Sequence, residues 1–209
     1  RHYDLFDAAG ADWALVAESA GLALVPIGAF GARTAVDCID PGVRLETAVA
    51  AIAATHASTA PGLWLRALVL AAAYLAGIAE AVRDMAVRHA GGREQFGRPI
   101  GTFQAIKHPC ADMAIFAEAA WAQVLFAAVS VQANRVDGAF QAHAAHLSAV
   151  RAARSNASHN IQIHGGMGFT DECDAHLFLK RAEVARLQLT EPADELDTLL
   201  ALPGPDAAA

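Results

Sequence analysis

Apolar residues recur with two different periods along this chain, and the change falls near residue 60. Before it, apolar residues come in short runs separated by turn formers. Trp13-Ala14-Leu15-Val16-Ala17 and Leu22-Ala23-Leu24-Val25-Pro26-Ile27 flank Glu18-Ser19-Ala20-Gly21, a pattern that predicts a β-hairpin. Asp40-Pro41-Gly42 predicts a turn, and Val43 to Val49 a further strand. Residues 1–55 are therefore expected to carry three or four strands. So few strands do not make a stable sheet covered on both faces, and the segment reads as part of a larger β domain.

From Ala60 the apolar spacing becomes helical. Pro61 suits the first turn of a helix that runs to about His89 and stops at Gly91-Gly92. A second helix is expected from Thr102, as its N-cap, to about Asn134, with Pro109 kinking or breaking its first turns. A third runs from near Gly138 to about Ile163, stopped by Gly165-Gly166. A fourth covers about Asp171 to Leu189, and Pro192 opens the tail. The expected fold is mainly α. It has a partial β domain over 1–55, a four-helix bundle over 56–202 and a disordered tail over 203–209.

Composition sharpens this picture. The chain has 209 residues, 55% of them apolar and only 18% charged. Much of the apolar excess is alanine, a strong helix former, and so little charge implies surface covered by other elements or other chains. The formal net charge is −7 and no long basic run occurs, so nucleic acid is not an expected partner. Three cysteines, Cys38, Cys110 and Cys173, form no CxxC pair, which fits a reduced, cytoplasmic protein. The longest apolar run, Ala67 to Ala79, is 13 residues before Glu80, so no membrane span is expected. Arg1-His2-Tyr3-Asp4 is not a signal peptide and reads as the middle of something larger.

Two inter-helix segments carry candidate chemistry. In Arg93-Glu94-Gln95-Phe96-Gly97-Arg98-Pro99-Ile100 an arginine fork beside a helix start suits a pyrophosphate. Gln95 offers an amide, Phe96 a flat apolar face, and Gln104 lies within one turn of the next helix. In Gln162-Ile163-His164-Gly165-Gly166-Met167-Gly168-Phe169 the paired glycines let a ligand approach the backbone, and Gln162 supplies a hydrogen-bonding amide. A helix start near Thr170-Asp171 attracts anions. Each segment alone reads more readily as an ordinary helix connection than as a ligand site.

Together they are more specific. An R-x-Q-F-G-x-P-I-G-x-F-Q-A-I run and a Q-I-H-G-G-x-G-F run, about 65 to 70 residues apart in an alanine-rich bundle, resemble the C-terminal half of the acyl-CoA dehydrogenases. The resemblance covers residues 60–190. It implies an FAD-dependent α,β-desaturation of an acyl-CoA thioester, with bundle loops binding the ADP part of FAD held by a neighbouring subunit. It places Arg93, Gln95 and Phe96 at the pyrophosphate and ribose, with Gln104, Gln162, Gly165 and Gly166 completing the site. His164 reads either as a ligand contact or as a packed helix-end histidine. The family uses a glutamate to remove the α proton while flavin N5 takes the β hydride.

That glutamate is missing from both places the family puts it. One falls near Leu189 and the other at Arg66 or Ala67. Glu191, two residues from Leu189, is the displaced alternative. The expectation is therefore a subunit with no catalytic residue of its own. Such a subunit completes the FAD site of a second acyl-CoA dehydrogenase chain, as in α2β2 members acting on steroid side-chain CoA thioesters. The partner then binds most of the acyl-CoA, and an electron-transferring flavoprotein is the implied acceptor. Missing sequence at the N-terminal side explains an absent domain but not an absent base. The rival readings are a purely structural bundle without cofactor and a self-sufficient dehydrogenase using Glu191.

A di-iron bundle is not expected, because no Glu-x-x-His pair occurs. His143 and His146 share a helix face, but the sequence offers them no evident carboxylate partner, and no metal is expected. Asp137, Asp171, Glu172 and Asp174 read as helix-start charges. Trp64, Trp121, Phe116, Phe126 and Phe140 read as core or interface.

Overall fold

The computed structural model describes residues 1–18, 21–52, 56–58, 61–190 and 192–205. They divide into two compact units, Arg1–Trp64 and Leu65–Ala209.

Among the described residues the first unit holds six strands: β1 (His2–Phe6), β2 (Trp13–Glu18), β3 (Gly21–Pro26), β4 (Arg33–Val36), β5 (Leu45–Val49) and β6 (His56–Ser58). They form two three-stranded antiparallel sheets, ordered β1-β5-β4 and β2-β3-β6. The expected hairpin is present, with Trp13 opposite Pro26 and Glu18 opposite Gly21. The Asp40 turn is closed by its own side chain, whose Oδ1 accepts from Gly42 N at 2.9 Å. Leu5, Ala8, Ala23, Val25, Phe30 and Ala48 form the small core. Strands β1, β4 and β6 were not legible in the sequence. Arg33–Val36 has no buried residue, and His56–Ser58 is three residues long, so neither shows a two-residue apolar period.

The second unit is helical. It comprises α1 (Pro61–Gly92, entering from the first unit), α2 (Gln104–Gln132), α3 (Gly138–His164), α4 (Ala175–Ala185) and α5 (Pro192–Ala201). Alanine explains how these helices pack. Ala72, Ala76, Ala79, Ala117, Ala120, Ala127, Ala142, Ala145, Ala149 and Ala153 sit together in the core, where small side chains let helix axes approach closely. Leu68, Leu75, Val124 and Val150 fill the remaining space. One polar group ties three helices together. Asn156 of α3, fully buried, donates from Nδ2 to the carbonyls of Ala79 in α1 at 3.0 Å and Met113 in α2 at 2.9 Å.

Four sequence expectations change here. Helix α2 begins at Gln104 with Phe103 as its N-cap residue, while the Thr102 hydroxyl donates to Pro99 O at 2.7 Å instead. It runs unbroken through Pro109, because so near the helix start the proline forfeits only the bond to Ala105 O. The fourth helix starts at Ala175, not Asp171, because a tight turn over Gly165–Phe169 precedes it. The segment from Pro192, read as the start of the tail, is a fifth helix; residues 206–209 of the expected tail lie outside the described residues.

Residues 62–92 and 104–132 are also long and apolar enough, by length and composition, to cross a membrane. Counting only uninterrupted apolar residues missed this, because single charges such as Glu80 and Glu118 interrupt otherwise apolar windows. In this fold both helices line the bundle core, through Leu68, Leu75, Val82, Met113 and Val124. The outward face of α2 keeps Ile115, Leu125, Phe126 and Val129 exposed.

Candidate functional site

Alternating helix directions bring the two sequence motifs to one end of the bundle. The C-terminus of α1 and the N-terminus of α2 meet at the first motif, and α3 ends at the second. A direct contact joins them: the rings of His89 in α1 and His164 in α3 stack at 4.0 Å with 26° between planes.

The first motif is a short hairpin. Strands β7 (Glu94–Gln95) and β8 (Arg98–Pro99) pair antiparallel, leaving Phe96 and Gly97 as a two-residue turn. Both have positive φ, +55° and +74°, as a type I′ turn requires. Glycine takes that conformation freely, but a bulky aromatic pays about 1–2 kcal/mol. The Phe96 ring is held out at 93% exposure, edge-on to Phe103 at 6.0 Å, and the Arg98 guanidinium lies 4.1 Å above the Phe103 ring. A strained, fully exposed aromatic does nothing for the core, which is a motive to look for a ligand. Arg93 is anchored through its backbone: its N–H donates to His89 O and its carbonyl accepts from Ile100 N, both at 2.8 Å. Its side chain is exposed and has no carboxylate partner among the described residues. Gln95 donates from Nε2 to Glu94 O at 2.7 Å. Gln104 is exposed in the first turn of α2. At Gly101 a Cβ would come within 3.0 Å of Ala90 O, so glycine is what allows this hairpin to fold back onto α1.

The second motif leaves α3 through Gly165, at φ +65°. Gly165 and Gly166 are exposed, with open space where a Cβ would stand. Gly168 differs: a Cβ there would lie 2.6 Å from Ile161 O, so this glycine packs the turn against its own helix. Gln162 is exposed on the last turn of α3. His164 is fixed by a hydrogen bond from Nδ1 to Asn160 O at 2.8 Å. Burial, then the charges of His164 and Arg93, hold His89 below its ordinary 6.5.

Thus the seven sequence-predicted residues, Arg93, Gln95, Phe96, Gln104, Gln162, Gly165 and Gly166, share one end of the bundle and are all exposed. The donor set comprises a guanidinium with no carboxylate partner among the described residues, carboxamides, an exposed aromatic and backbone without side chains. That chemistry fits an anionic ligand carrying a flat ring system, as a dinucleotide does. His89 was missed, because a single histidine before Gly91 gives no periodic or motif signal.

The two places where the family carries its base hold no acid here. Leu189 is half-buried in the connection between α4 and α5, and Arg66 is exposed on α1. Glu191 lies outside the described residues. Another carboxylate follows closely, and it corrects the reading of His143 and His146. Glu195 of α5 is their carboxylate partner, with Oε1 3.2 Å from His143 Nδ1 and Oε2 2.8 Å from His146 Nδ1. Thr190 Oγ1 donates to Oε2 at 2.9 Å. Burial, the largest effect, raises the carboxyl. The hydrogen bonds from His143 and His146, the charge of His146 and the Thr190 bond outweigh it and lower it to about 2. A carboxylate so held is a poor proton acceptor at neutral pH. The partnership was invisible in sequence because it joins residues about fifty apart, across helices. Asp137, read as a helix-start charge, is buried and pairs with Arg135 at 2.9 Å and Gln141 at 3.0 Å.

Solved acyl-CoA dehydrogenase structures share this fold over nearly the whole chain. Butyryl-CoA dehydrogenase of Megasphaera elsdenii matches 95% of this chain and 58% of its own, with TM-score 0.76 and 22% identity. The ChsE4–ChsE5 complex of Mycobacterium tuberculosis matches 98% of this chain and 60% of its own, with TM-score 0.80 and 24% identity. The architecture is therefore of the acyl-CoA dehydrogenase type.

The chain belongs to the acyl-CoA dehydrogenase family: the family's C-terminal domain matches residues 64–188, more than half of its length. The acyl-CoA dehydrogenase FadE34 of Mycobacterium tuberculosis is 48% identical over 121 residues, which are 56% of this chain and 17% of FadE34. The acyl-CoA dehydrogenase IpdE2 of the same organism is 39% identical over 139 residues, which are 66% of this chain and 42% of IpdE2. The chain thus spans less than half the length of these curated relatives.

Proposed function

We propose that this chain is a subunit of an FAD-dependent acyl-CoA dehydrogenase, contributing part of an FAD site while supplying no catalytic base. The observation that carries the reading is the gathering of both motif loops at one bundle end, with the Arg93 side chain exposed and its backbone joined to the His89–His164 contact. Arg93 would clamp the pyrophosphate, and Gln95, Gln104 and Gln162 would bond ribose and phosphate oxygens. Phe96 would cover a flat face, and Gly165-Gly166 would admit the ligand to the backbone. The flavin, when bound, supplies hydride acceptance during desaturation of the CoA thioester. The residues of this chain hold and orient it from the side.

The α-proton acceptor belongs to the partner subunit in this reading, because Leu189, Arg66 and Ala67 cannot act as bases and Glu195 is committed to two histidines. Two features support a second dehydrogenase chain as partner. On α2 the large apolar side chains of Ile115, Leu125, Phe126 and Val129 stand exposed around Glu118, and such a patch favours being covered. Among similar structures, ChsE4–ChsE5 is a complex, and Tcur3481–Tcur3483 is described as a steroid acyl-CoA dehydrogenase. A steroid-type CoA thioester bound mainly by the partner, an electron-transferring flavoprotein as acceptor and a cytoplasmic location complete the proposal.

The test is Arg93→Ala in the assembled complex. FAD content should fall at least about tenfold, the effect of losing a charge-assisted bidentate contact, with helix content by circular dichroism unchanged. Full retention of flavin would favour a purely structural bundle.

A further inference from the structure

Two imidazoles that the proposed reaction does not use stand where the motif loops leave the bundle. His89 is in the last turn of α1 and His164 is the last residue of α3. The partial negative charge of a helix C-terminus favours an imidazolium at each place. Their rings, however, stack at 4.0 Å, so protonating both sets two positive charges face to face. Arg93 adds a third positive charge from the hairpin. Burial, His164 and Arg93 all disfavour an imidazolium at His89. The tautomer of one ring is set, because His164 Nδ1 donates to Asn160 O, so that ring can gain a proton only at Nε2. His164 also precedes Gly165 and Gly166, whose backbone is open.

Resting on the reading that these loops hold a dinucleotide, we propose that the His89–His164 pair is a proton-linked part of the site, taking up one proton when a pyrophosphate binds. The negative charges of the ligand offset the field of Arg93 and the repulsion within the pair, and one imidazolium becomes favourable. The protonated ring then carries an N–H donor that the neutral ring lacks. The sign follows from linkage. The bound form holds its proton more tightly than the free form, so affinity rises as pH falls through the bound midpoint and levels off below the free midpoint.

The test uses the assembled complex with this chain labelled at histidine and arginine, followed by NMR from about pH 5 to about pH 8.5, where imidazole titrates. FAD is the probe, because its pyrophosphate is a diester without the second phosphate ionisation near pH 6 that would confuse the result with ADP. Saturating FAD should raise the midpoint of His89 or His164 by about one pH unit, and FAD affinity should fall about tenfold between the acid and alkaline limits. His89→Phe, which keeps a flat ring in the stack, should leave a pH dependence below about twofold. Unmoved midpoints with FAD bound and Arg93 signals shifted would overturn the proton linkage while leaving the site intact. No response of either the histidines or Arg93 at millimolar FAD would overturn both.

Discussion

Removing the charge of Glu195 should destabilise the bundle by an amount its environment sets. The residue is 2% exposed, yet its carboxyl sits at about 2 against an ordinary 4.5. At about 1.4 kcal/mol per pH unit, that interval corresponds to roughly 3 kcal/mol of stability. Because the folded value is the lower one, the contribution is complete above 4.5 and is lost as pH falls toward 2. Glu195→Gln keeps the shape and removes the charge. Urea unfolding followed by circular dichroism should show the variant about 3 kcal/mol less stable at pH 7, with the difference from wild type shrinking toward zero near pH 2. Glu195→Ala should cost more, because it strands the Nδ1 atoms of His143 and His146 and the Thr190 hydroxyl in the interior. A Gln variant as stable as wild type at pH 7, or a deficit that stays constant to pH 2, would refute the account of this cluster as a carboxylate stabilised by its neighbours.

Asn156→Ala should cost about 2–3 kcal/mol, since it removes two buried hydrogen bonds across three helices and leaves a void; a thermal melt of the variant checks this. Gly168→Ala should cost about 2 kcal/mol through displacement of the turn from Ile161 O, while Gly166→Ala, which meets open space, should melt within about 0.5 kcal/mol of wild type. Assayed without a partner, the FAD-loaded chain should not be bleached by acyl-CoA thioesters; rapid bleaching would point to a base in this chain, with Glu191 to be replaced by Gln first.

The hydrophobic pattern by itself determined the helical unit and its main helices, because a 3.6-residue period sustained over about thirty residues has no competing interpretation. It also located both motif loops, since Gly91-Gly92 and Gly165-Gly166 end helices by backbone chemistry that is local to the chain. The Trp13–Pro26 hairpin was legible for the same reason: its two strands are adjacent in sequence. Strands β1, β4 and β6 were not, because their stability comes from pairing with distant segments rather than from their own composition.

What only the tertiary structure decided is which polar groups meet. The sequence offered His143 and His146 no evident carboxylate partner and gave Glu195 no role. Folding places α5 against α3 and turns the three into a buried, hydrogen-bonded cluster. His89 had no role until helix alternation set it on His164. Asn156 became the bond between three helices because two backbone carbonyls happen to face it. Local periodicity encodes where a helix lies and which side it buries, but a hydrogen bond between residues about fifty or more positions apart depends on how helices dock, and no period along the chain records that.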